Sequence, residues 1–179
     1  MLFTKLNVGC GPDIKPDWCN MDLVPLPGVN VVHNMMNTPW PFQDNSMITI
    51  LASHVLEHVP HSHETGRDGF IAIMEEIHRI LKPNGILIVR IPHHLNRHAL
   101  EIDPTHTRVI HPETWDYFSN KPNTLNWYSN ARFEVVFQEV TAWRIPRFQP
   151  FPYLAWRFKF MRRFGWFGEM TYHLRAIKN

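Results

Sequence analysis

The sequence predicts an α/β fold: a single domain on a mainly parallel sheet, with the last strand antiparallel. Three observations carry this. A short apolar strand near the start runs straight into glycines. One strongly periodic helix is followed at once by a nearly continuous apolar strand. Two partly alternating strand patterns close the chain.

Leu2 to Val8 reads as a buried strand that ends at Gly9. Cys19 to Leu23 is a second short strand, ending near Asp22, and Val29 to Val32 a third. "SMITILAS", Ser46 to Ser53, is the fourth. In "GFIAIMEEIHRILKPNG" the residues Phe70, Ile73, Met74, Ile77 and Ile80 or Leu81 line one helical face, and Lys82, Pro83, Asn84 and Gly85 end the helix. "ILIVRI", Ile86 to Ile91, has the pattern of a parallel strand covered on both faces. "HPETWDYFSN" reads as a short helix with Pro112 in its first turn. "RFEVVFQEVTAW" and "EMTYHLRAIK" read as strands in antiparallel edge positions. Only "PDIKPD" separates Gly11 from Trp18, and it holds two prolines. The first crossover is therefore a tight loop or a single turn, because a parallel pair joined through a helix needs about a dozen residues or more.

The 179 residues suit one domain, and 44% apolar with 19% charged residues indicates a globular chain. No apolar run approaches a membrane span, and the start lacks the pattern of a signal peptide. Cys10 and Cys19 are expected as free thiols in a reducing, cytoplasmic compartment.

Gly9 and Gly11 stand where a strand end can bring its backbone close to a ligand, and Asp22 ends the next strand, where a carboxylate can accept both hydroxyls of a ribose. The same residues also read as a plain turn and a solvated loop acid. A dinucleotide fingerprint needs Gly at position 14, which is Ile14, and no Walker-type run is present. A ligand with a ribose and no pyrophosphate suits the pattern better than NAD.

Four pieces in order, "LNVGCG", "NMDL", "NTPWPFQDNSMITILASHVLEHV" and "EEIHRILKPNGILIVRIPH", resemble the class I S-adenosylmethionine-dependent methyltransferases, in particular the small type 11 proteins. The resemblance covers roughly Leu2 to His94. It implies a Rossmann-like methyltransferase fold with S-adenosyl-L-methionine as cofactor. Gly9, Cys10 and Gly11 would lie along its methionyl and ribose parts, and Asp22 would hold the ribose. His33, Asn34 and Met35 would approach the adenine, and Ser53 and His54 the methionine and sulfonium. The acid that the family usually carries after strand three is absent here, and "NSMI" replaces its "NSFD". The implied activity is methyl transfer to an unidentified acceptor, with a small molecule favoured. The alternatives are a catalytically degenerate binding or scaffolding module, or an enzyme acting on nucleic acid.

"SHVLEHVPHSHE" packs four histidines around Glu57, yet the H-E-x-x-H order is absent, and the resemblance explains "HVLEH" as a turn after strand four. Zinc could use such residues, but the reading adopted has no metal. A His-rich lid spans about 92–112. Within it, His94 or His106, oriented by Asp103, is a candidate general base, while Asp103 to His106 also reads as a capped turn. A basic, aromatic arm spans about 144–168. From Trp143 onward there are eight Arg or Lys and one acid, Glu169. Such an arm suits RNA, an anionic membrane surface or a protein partner, or it roofs the sheet with its rings; nucleic acid is not the favoured partner. The oligomeric state stays open.

Overall fold

The computed structural model describes residues 3–96, 101–122, 126–142 and 167–178, with the side chains of 142 and 167 left aside. Seven strands form one sheet: β1 (Lys5–Val8), β2 (Cys19–Asp22), β3 (Val31–Val32), β4 (Met47–Ser53), β5 (Leu81–Pro92), β6 (Phe133–Ala142) and β7 (Phe167–Ala176). Their order is β3-β2-β1-β4-β5-β7-β6. The pairs from β3 to β5 are parallel, and β7 is antiparallel to both β5 and β6. The last strand is thus the reversed one, as the sequence predicts. It is not an edge, however. β7 inserts between β5 and β6, and β6 takes the edge.

One α-helix is present among the described residues, α1 (Gly69–Ile80). Asp68 caps it, its carboxylate accepting from the Phe70 amide at 2.9 Å. Phe70, Ile73, Met74, Ile77 and Ile80 are buried, so the apolar spacing becomes a packing face. They join one core cluster with Leu6, Val8, Ile50, Ala52, Leu87, Val89, Tyr172 and Leu174 from the same side of the sheet. The stretch Leu81 to Gly85 does not merely end the helix. It enters β5 through an irregular register, Met47 facing Leu81 and Thr49 facing Ile86, with Asn84 at φ 63°.

The opposite side of the sheet carries, in register, Asn7, Leu51, Ile88, His173 and Phe137. No described helix follows β1, β2 or β3. Two buried asparagines, each 2% exposed, organise the first crossover instead. The Asn7 side-chain amide donates to the Asp13 carbonyl at 2.8 Å and to Asn20 Oδ1 at 3.1 Å. Asn20 Oδ1 also accepts from the Lys15 amide at 2.9 Å, and its amide donates to the Lys15 carbonyl at 3.0 Å. A loop without ladder bonds would leave backbone groups unpaired, and these side chains satisfy them.

Residues 103–108, within the segment expected as a lid, fold back on the 3-10 turn Leu56–His58 that follows β4. The Thr107 amide donates to the Glu57 carbonyl at 2.9 Å and its hydroxyl to the Val59 carbonyl at 2.6 Å, with the hydroxyl oxygen 3.2 Å from the Glu57 carbonyl. Arg108 adds Nε to the Val59 carbonyl at 3.1 Å and Nη1 to Asp68 at 3.1 Å. The part of the lid at 97–100 and most of the basic arm, 144–166, lie outside the described residues.

Candidate active site

The carboxyl ends of β1, β2 and β4 meet at one rim, because these strands are parallel neighbours in the order β2-β1-β4. After β1 the chain must turn sharply, and Gly9 and Gly11 do so with φ of 58° and 50°. A Cβ on Gly9 would lie 2.3 Å from Val55 Cγ2, so the turn after β4 packs directly on this loop. A Cβ on Gly11 would meet no protein atom within 4 Å. The loop is therefore closed at Gly9 and open at Gly11, a shape that admits a ligand against bare backbone.

Asp22 ends β2 and reaches across to this loop. Its Oδ2 accepts from the Gly11 amide at 2.7 Å and its Oδ1 from the Val24 amide at 3.0 Å. The Cys10 amide donates to the Met21 carbonyl at 3.1 Å. These bonds fix the carboxylate while each oxygen retains a second lone pair for a ribose hydroxyl. The residues present fit the cofactor that the sequence implies. Cys10 and Cys19 are buried free thiols; burial pushes the Cys10 thiol up, and the Asp22 charge adds to this. Cys10 thus serves as a neutral packing group and supplies its backbone to the loop.

The residues after β3 form a compact turn. The His33 amide donates to the Asp22 carbonyl at 2.8 Å, and its Nε2 donates to the Asn37 carbonyl at 2.8 Å. Asn34 Oδ1 accepts from the Met36 amide at 2.9 Å, so its carbonyl serves the turn. Met35 is half-buried against the core and accepts from Trp40 Nε1 at 2.8 Å.

Ser53 and His54 end β4. His54 takes the left-handed region at φ 51°. Its Nε2 lies 2.7 Å from Glu169 Oε2 at the start of β7, and its Nδ1 is 3.3 Å from Glu57 Oε1. The Glu57 contact, then Glu169, raises the imidazole pKa despite burial. His54 therefore ties the floor of the site to the reversed strand.

The three candidate catalytic residues fall into two groups. His94 stacks on His93 with ring centroids 4.5 Å apart and meets His111 edge-on at 4.3 Å. Its Nδ1 is buried without a hydrogen bond, and burial, then the nearby His111, pushes its pKa down. Asp103 and His106 stand instead against the turn after β4. Asp103 Oδ1 accepts from the Thr105 amide at 2.9 Å and from its hydroxyl at 2.6 Å, while Oδ2 is 3.9 Å from His106 Nε2. The His106 ring crosses that of His58 at 4.6 Å. Ligand atoms of Glu57, His58 and His106 lie within 4.8 Å of one another. Glu57 is 1% exposed, and neither carboxylate oxygen makes a hydrogen bond. The sequence does not show this grouping, since 48 residues separate His58 from His106.

Separate from this rim, a cavity of about 610 Å³ is lined by Phe70, Arg108 and Tyr117 among others, and by none of the glycine-loop residues.

Residues 10–89 match the family model of a methyltransferase domain, Methyltransf_11. No curated protein matches the chain by sequence. Among solved structures, a SAM-dependent methyltransferase from Archaeoglobus fulgidus is 15% identical with a TM-score of 0.62, covering 98% of this chain and 88% of its own. A complex of the Haloferax volcanii Trm112 methyltransferase activator with an inferred methyltransferase gives 19% identity and a TM-score of 0.61, covering 99% and 84%. The cyclase SpnF gives 18% and 0.55, covering 98% and 74%. These likenesses establish the fold, and SpnF shows that one fold houses more than one chemistry.

Proposed function

We propose that the chain, residues 10–89 of which match a methyltransferase domain, is a class I S-adenosylmethionine-dependent methyltransferase that transfers the methyl group to a small acceptor held between the turn after β4 and the lid. The observation that carries this is the pairing of the open Gly11 backbone with the Asp22 carboxylate, joined at 2.7 Å at adjacent strand ends. When bound, the cofactor supplies a methyl group on a sulfonium, already activated toward a nucleophile.

The chain's own task is then mostly positioning. Gly9, Cys10 and Gly11 offer backbone to the methionyl and ribose parts. Asp22 accepts from the ribose hydroxyls. His33, Asn34 and Met35 would border the adenine, with the Asn34 amide as donor. Ser53 and His54 would border the sulfonium end, with His54 braced by Glu57 and Glu169. His94, held neutral near pH 7 by its lowered pKa, is suited to take the acceptor's proton.

Titration calorimetry with S-adenosylmethionine and S-adenosylhomocysteine tests the cofactor site. Binding of both, weakened in Asp22→Ala, is the expected result. No heat from folded protein at millimolar ligand would return the chain to the non-enzymatic reading, a binding or scaffolding module. A methyl-transfer screen against fractionated cell extract then identifies the acceptor, with His94→Gln lowering kcat and leaving S-adenosylhomocysteine affinity unchanged.

A further inference from the structure

We propose that Glu57, His58 and His106 form a binding site for a divalent first-row transition ion of the zinc or manganese kind, which holds an oxygen of the methyl acceptor. The role in methyl transfer rests on the reading above; the metal site itself does not.

The first argument is the state of Glu57. It is 1% exposed, and both carboxylate oxygens lack a hydrogen bond. Burying an ionised carboxylate without partners is costly, and a nearby cation removes that cost. His54 Nδ1, 3.3 Å away, is an ion-pair neighbour outside hydrogen-bond geometry, and it is also committed to Glu169. It balances part of the charge and leaves the lone pairs unused.

The second argument is the orientation of the two imidazoles. The single proton of the Thr105 hydroxyl goes to Asp103 Oδ1 at 2.6 Å. The Thr105 oxygen must therefore accept at its 2.8 Å contact with His58, so His58 Nδ1 carries the hydrogen and Nε2 keeps its lone pair. On the other ring, His106 Nε2 lies on the Asp103 side at 3.9 Å, while Nδ1 is buried without a partner. Asp103 thus orients the His58 ring through Thr105, while its second oxygen faces His106 Nε2 across 3.9 Å, as an ion-pair neighbour and not a hydrogen-bond acceptor. Outer-shell acids commonly orient metal-bound histidines in this way.

The third argument is rigidity. His106 sits next to Thr107, whose amide and hydroxyl are stapled to the Glu57 and Val59 carbonyls. The lid residue is therefore held against the turn that supplies the other two ligands. Donor atoms within 4.8 Å of one another are near enough to close around one ion when the side chains draw in.

Two imidazoles and one carboxylate favour zinc or manganese over magnesium, which prefers oxygen ligands. Three protein ligands leave at least one open position for water or substrate. Val55, two residues before Glu57, packs on Gly9, so the turn that supplies two of the ligands adjoins the cofactor loop. An acceptor hydroxyl bound at the open position loses its proton more readily to His94, the base named above. Its electron pair forms the new C–O bond to the methyl carbon, and the C–S pair stays on sulfur. The acceptor class is accordingly an alcohol, phenol or diol.

The test is calorimetry and metal analysis of untagged, chelator-treated protein with Zn²⁺, Mn²⁺ and Mg²⁺ offered separately. One equivalent of Zn²⁺ or Mn²⁺ should bind, with Mg²⁺ much weaker. Glu57→Gln and His106→Ala should each weaken binding by more than about 100-fold, and Asp103→Asn by the 10- to 100-fold typical of an outer-shell partner. His61→Ala, on an exposed ring nearby, should leave it unchanged. If Glu57→Gln folds poorly, His106→Asn carries the same test from the lid. Absence of a bound ion in the wild type, or equal affinity in the Glu57 and His106 variants, overturns the proposal. S-adenosylhomocysteine titration of the same samples separates the two readings: retained nucleoside binding without metal defeats this inference alone, and metal binding without nucleoside binding defeats the cofactor reading alone.

Discussion

Gly9 and Gly11 share a left-handed backbone and differ in their surroundings, so they should fail differently. Gly9→Ala adds strain and drives Cβ into Val55, and should destabilise the fold by about 3 kcal/mol in urea titration. Gly11→Ala meets no protein atom and should cost only about 1 kcal/mol of backbone strain, while weakening S-adenosylmethionine in calorimetry. A result with the two reversed would put the ligand on the wrong side of the loop. Asp22→Ala removes charged acceptors, worth about 1.5–3 kcal/mol per hydrogen bond, so affinity should fall roughly 10- to 100-fold or more, and the melting temperature should fall as well because the Gly11 and Val24 amides lose their acceptor. Gly9, Gly11 and Asp22 were legible in the sequence because strand, turn and acid follow one another within a few residues. Asn7 and Asn20 were not: a buried asparagine inside an apolar strand carries no sign of the crossover it supports.

At the scale of elements, α1 joins two regions. Glu76 accepts from the Trp40 amide at 2.6 Å and from Arg79 at 2.6 and 2.9 Å, and Arg79 reaches the Phe42 carbonyl at 2.9 Å. This clamp holds the loop before β4 on the helix. Glu76→Ala leaves an arginine and an amide without their acceptor and should cost about 3 kcal/mol, at the low end for a buried pair because Arg79 is partly exposed. His78 lies on the other flank, its Nε2 donating to the Ile177 carbonyl at 3.0 Å and its ring edge-on to Phe133. Burial lowers its pKa. The unfolded chain then binds more protons than the folded one between the folded value and about 6.5. This contribution to stability is complete above that window and is lost as pH falls through it. Chemical denaturation from pH 7 down to 5 should show the loss, and His78→Gln should flatten it. The helix itself was legible from its apolar period. The position of β7 was not, because alternation marks a half-covered strand without naming its neighbours.

For the whole molecule, binding is linked to folding. S-adenosylhomocysteine at 100 times its Kd should stabilise the chain by about 2.7 kcal/mol, a melting shift of roughly 5–10 °C at this size. No shift at saturating ligand would mean that the site does not belong to the folded state. The metal proposal adds a second, independent shift with Zn²⁺ or Mn²⁺. Sequence by itself determined the class of the fold, the reversed strand, the short first crossover and the rim where Gly9, Gly11 and Asp22 meet. Each of these rests on local rules: apolar period, glycine at a strand end, and a connection too short for a helix. Tertiary structure alone decided that β7 enters between β5 and β6, that His94 parts from Asp103 and His106, and that His106 comes to Glu57 and His58. Those outcomes depend on long-range hydrogen bonds, such as Thr107 to Glu57 and His54 to Glu169, between residues that sequence spacing does not relate.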